Sequence, residues 1–76
     1  MNIAFYDPGM KKEIFNIDVP SLESAYEHVE EYFGEMAECE GDHDLTNVFV
    51  AKKKPTVWLI RNTGTGGDYL LYVKRK

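Results

Sequence analysis

Cys39-Glu40-Gly41-Asp42-His43-Asp44 packs a thiol, an imidazole and three carboxylates into six residues. Such groups ligate zinc, but no second cysteine and no pair of histidines at ligand spacing accompanies them. A calcium loop needs acids at alternate positions before a glycine, then a distal glutamate, and this order differs. A solvated acidic loop is therefore expected, with no metal. Asn62-Thr63-Gly64-Thr65-Gly66-Gly67 has the glycine content of a phosphate cradle, but the P-loop lysine is missing and a strand-like stretch follows. A hairpin loop accounts for those glycines. Acids around Cys39 disfavour a thiolate nucleophile. His28, beside Glu27, Glu31 and Tyr32, reads as a surface histidine, not a base. No two carboxylates lie in apolar surroundings that would tune one against the other. The expectation is a non-enzymatic protein with no catalytic residue and no cofactor.

The acids themselves are the stronger signal. Glu23, Glu27, Glu30, Glu31, Glu35 and Glu38 fall on one side of the helical stretch Ser21–Glu38, and Asp42 follows. Glu23–Glu27, Glu27–Glu31 and Glu31–Glu35 are like-charge i,i+4 pairs, each costing roughly 0.2–0.5 kcal/mol. No Lys or Arg between residues 21 and 47 relieves them. Glu23 to Glu38 spans about 22 Å at about 1.5 Å per residue. That gives one carboxylate per about 4 Å, against one phosphate per about 3.4 Å along a DNA strand. These seven acids, Glu23 to Asp42, are the expected partner-binding residues, and the expected partner is a basic, nucleic-acid-binding protein; the other reading is an acidic surface that only keeps a small protein soluble.

The elements that must position this face follow from periodicity. Leu22, Ala25, Tyr26, Val29, Tyr32, Phe33 and Met36 recur at steps of three and four, so the helix is amphipathic. Ser21 is a natural N-cap, and Pro20 keeps Val19 out of the helix. Gly34 weakens the helix, but Met36 keeps the apolar phase beyond it, so continuation is expected. Strands are expected at residues 2–6 and Lys12–Val19, joined by a turn at Asp7-Pro8-Gly9, where Gly9 can take positive φ. Further strands are expected at Val48–Ala51, Thr56–Arg61 and Tyr69–Lys74, with Lys52-Lys53-Lys54-Pro55 as a turn. The order is ββαβββ. This implies an α+β fold: a two-layer sandwich with one amphipathic helix packed on an antiparallel sheet, as a single domain over residues 1–76.

One helix covers one sheet face. With Ile3, Phe5, Phe15, Ile17, Val48, Val50, Val57, Leu59, Leu71 and Val73 facing it, Tyr6, Ile14, Phe49, Trp58, Ile60, Leu70 and Tyr72 point away. An open face bearing Tyr6, Phe49, Trp58, Ile60 and Tyr72 implies a homodimer or a docked partner, and with it an alternative function as an oligomerising adaptor. The same aromatics with Arg61 offer a less favoured reading, a sheet that stacks single-stranded RNA.

The chain has 76 residues, net charge −4 and 43% hydrophobic residues, enough for one small globular core. Nine of its thirteen acids lie in residues 21–47, leaving nine basic residues against four acids elsewhere. A single cysteine, no signal-like N-terminus and no long apolar run point to a cytoplasmic, non-membrane protein. In size and charge the chain is similar to DNA-mimic inhibitors of nucleic-acid machinery, such as phage anti-CRISPR proteins. The similarity carries no residue assignments with it.

Overall fold

A computed structural model describes the backbone of residues 1–40, 48–63 and 67–74, and the side chains of the same residues except 36–40. Five strands and one helix follow in the order β1 (Asn2–Asp7), β2 (Lys12–Asp18), α1 (Leu22–Glu40), β3 (Val48–Lys54), β4 (Val57–Asn62) and β5 (Gly67–Val73). All neighbours are antiparallel, and the sheet order is β2-β1-β5-β4-β3. The helix packs on one face, so the expected α+β sandwich is the fold.

The helix starts where its cap dictates. The Ser24 N–H donates to Ser21 Oγ at 3.4 Å, satisfying one of the free donors of the first turn. Its apolar stripe then buries Ala25, Val29 and Phe33. The helix also runs through Gly34 without a break. A Cβ at Gly34 would meet nothing within 4 Å. Gly34→Ala should therefore stabilise the domain by about 1 kcal/mol. Thermal unfolding should move up by roughly 4–8 °C, and a fall in the midpoint would contradict this geometry.

Phe5 is the centre of the core. Its ring stacks on Phe15 at 5.1 Å and on Tyr69 at 5.2 Å, and meets Tyr32 and Phe33 edge-on at 5.7 and 6.1 Å. Ile3, Ile60 and Leu71 are fully buried around it. Each of these residues pairs across the sheet with another helix-facing one: Phe5 with Phe15 and Leu71, and Ile60 with Val50 and Tyr69.

Several local expectations are corrected. β4 lies in the opposite phase: Ile60 and Trp58 face the helix, while Val57 and Leu59 point away. Val57-Trp58-Leu59-Ile60 is apolar at every position, so alternation cannot choose a face for it. Ile14 also leaves the outer face. The β1–β2 register shifts between Phe5 and Tyr6, leaving Ile14 as the extra residue of a bulge, and Ile14 packs against the core. The lysines 52–54 belong to β3, not to a turn; the register slips between Lys52 and Lys54, and Pro55 and Thr56 make the turn. β5 begins at Gly67, so the preceding loop is shorter than expected. In the β1–β2 turn, Asp7 Oδ1 accepts from the Gly9 and Met10 N–H groups, and the positive φ falls on Lys11, at 53°, instead of Gly9.

Candidate protein-binding surfaces

The outer face of α1 carries the acids. Glu23, Glu27, Glu30, Glu31 and Glu35 are all exposed. At 100° per residue they occupy one arc opposite the buried stripe. Among the described residues, Glu31 meets only His28, at 3.9 Å, and Glu23, Glu27, Glu30 and Glu35 pair with no cation. The described basic residues are engaged elsewhere or lie on the sheet or, for Lys11, in its β1–β2 turn. Arg61 forks to Asp68 at 2.7 and 3.2 Å, Lys74 reaches Glu13 at 3.1 Å, and Lys52 lies 5.9 Å from the Trp58 ring. Hydrogen bonding by Arg61 holds the Asp68 carboxyl below its ordinary value. No basic residue occupies the last helical turn, where it would complement the macrodipole. Glu38 and Asp42 lie outside the residues whose side chains are described, as does the run Cys39 to Asp44. Among the described residues, no group of three or more His, Cys, Asp or Glu could hold a metal. No helix among them is long and apolar enough to cross a membrane.

Two clefts flank the helix, each of about 250 Å³. One lies toward β3 and β4, between Tyr26, Val29 and Glu30 on the helix and Val48, Val50 and Ile60 on the sheet. Burial raises the Tyr26 hydroxyl above its ordinary value there. The other lies toward β2, between His28, Glu31, Tyr32 and Glu35 on the helix and Ile14, Phe15 and Ile17 on the strand. Sequence reasoning missed this second cleft. Its signal was present: residues 28, 31, 32 and 35 form an i, i+3, i+4, i+7 row at the border of the acidic arc and the apolar stripe. What was missing was the partner strand's bulge, which brings Ile14 to the same side.

The outer sheet face is smaller than expected. Tyr6, Leu59, Leu70 and Tyr72 share it, half-buried, with Phe49 at its margin, 52% exposed. Ile60 is fully buried and Trp58 faces the helix, so neither joins Tyr6, Phe49 and Tyr72 there.

No family model matches the chain, and no curated protein or solved structure matches it.

Proposed function

We propose that this protein is a non-enzymatic inhibitor or regulator that binds a basic protein through the outer face of α1. Its carboxylates take positions that nucleic-acid phosphates occupy on that partner, and it acts in the cytoplasm. One observation carries the reading: five exposed glutamates lie along one arc of the helix, and none pairs with a lysine or arginine among the described residues. Glu23 to Glu35 covers about 18 Å, so the spacing along the axis is about 4–5 Å, close to that of phosphates along one DNA strand. A face whose only task is solubility has no reason to keep its self-repulsion, since mixed signs serve equally well. The test is competition. A basic, nucleic-acid-binding partner captured on the immobilised protein should be released by duplex DNA and by moderate salt. Capture that persists with excess DNA present would refute the reading.

The outer sheet face supports a second reading, a homodimer. Half-buried Tyr6, Leu59, Leu70 and Tyr72 beside the exposed Phe49 ring make an apolar surface with no second layer among the described residues. Sedimentation over a concentration series should show association that Phe49→Glu removes; a monomer at the highest concentrations would end this reading. The RNA-stacking alternative is weakened. Its three carriers do not share a face: Trp58 looks toward the helix, while Tyr72 and the Asp68-bound Arg61 lie on the other side.

A further inference from the structure

The cleft between α1 and β2 differs in kind from the rest of the acidic face. Its base is aromatic and held by the core. The Phe15 ring stacks on Phe5 at 5.1 Å, Tyr32 meets Phe5 edge-on at 5.7 Å, and the His28 ring sits 6.1 Å from Phe15. Its rim carries Glu31 and Glu35, one helical turn apart, and neither pairs with a lysine or arginine. The strand beside it is a sheet edge, since β2 pairs with β1 alone among the described strands. An edge strand is a template on which an extended segment adds by main-chain hydrogen bonds, with alternate side chains entering a neighbouring pocket.

We propose that this cleft receives an arginine side chain from an extended basic segment of the protein partner, laid along the free edge of β2. The chemistry selects arginine. A guanidinium is planar and weakly hydrated, so it can stack against the Phe15 and Tyr32 rings and still fork to a carboxylate on the rim. A lysine ammonium satisfies the charge but neither the stacking nor the fork. Nucleic acid is excluded by sign, because Glu31 and Glu35 repel phosphate. The inference rests on the acidic-face reading and adds to it the residue recognised and where it binds.

The test uses the whole chain, isotopically labelled, titrated with two peptides of equal length and charge, one with arginines and one with lysines at the basic positions. The arginine peptide should bind roughly threefold to tenfold tighter. Its shifts should concentrate at Phe15, His28 and Tyr32 and in the β2 amides. Glu31→Gln with Glu35→Gln, both at exposed positions, should erase that preference. Glu23→Gln with Glu27→Gln should weaken both peptides and leave their ratio unchanged. Equal affinities, shifts spread along α1 with none in β2, or no binding by either peptide at low salt would each overturn the proposal. Equal affinities would still leave the acidic-face reading standing, since that reading asks only for positive charge. Partner capture that DNA does not displace would end that reading too.

Discussion

Replacing Glu27, Glu30 and Glu31 together with glutamine should raise stability and destroy binding. The three substitutions break every one of the i,i+4 like-charge pairs 23–27, 27–31 and 31–35. At roughly 0.2–0.5 kcal/mol each, the domain should gain about 0.6–1.5 kcal/mol. None of these side chains is buried or bonded to a lysine or arginine, so the fold loses only the exposed Glu31–His28 contact. Affinity for a basic partner should fall at least tenfold at low salt, because each neutralised carboxylate removes one counter-charge from the contact. The wild-type protein should approach the variant's stability as salt is added, since screening relieves exposed repulsion. Chemical denaturation in urea across a salt series, beside a binding titration, separates the two effects. A variant that binds as well as the wild type would show that the acids serve only to keep the protein in solution.

Phe5→Ala should be the most damaging single change to the fold. Phe5 is fully buried and meets four other rings, from β2, α1 and β5, so its loss opens a cavity that no one element can collapse into. Truncations of this kind cost about 3–5 kcal/mol. A domain of 76 residues has about 4–11 kcal/mol in total, at roughly 0.05–0.15 kcal/mol per residue. Much of the population should therefore be unfolded or loosely packed, with the thermal midpoint lowered by at least about 12 °C. A sharp transition within a few degrees of the wild type would show that the ring is not the hub of the core.

The helix was legible in the sequence because its apolar period, its serine cap and its acids agree with one another. β1 and most of β2 were legible because Ile3, Phe5, Phe15 and Ile17 alternate with Asn2, Ala4, Asn16 and Asp18, and Ile14 alone breaks that pattern. β4 was not, because Val57, Trp58, Leu59 and Ile60 are apolar throughout, and only the pairing of Ile60 with Val50 and Tyr69 decides which face is buried. The same ambiguity enlarged the expected outer interface by Trp58 and Ile60. The bulges at Ile14 and Lys53 escaped notice because an extra residue in a strand leaves no periodic trace. Of the acidic site, the arc was legible and the aromatic cleft at its edge was not, since that cleft depends on the β2 bulge that turns Ile14 toward α1.

The placement of β5 has a consequence for how the chain is made. Asn2–Asp18 and Val48–Asn62 form two separate hairpins, and the strand that joins them into one sheet, Gly67–Val73, is the last of the five to leave the ribosome. Until it emerges, Phe5 lacks Tyr69 and Leu71 as neighbours, and the nascent polypeptide holds two unstitched ribbons and a helix with no finished floor. Although α1 ties the two hairpins together in the chain, a single sheet exists only once the final strand has bridged them, so formation of the core waits for the synthesis of that strand.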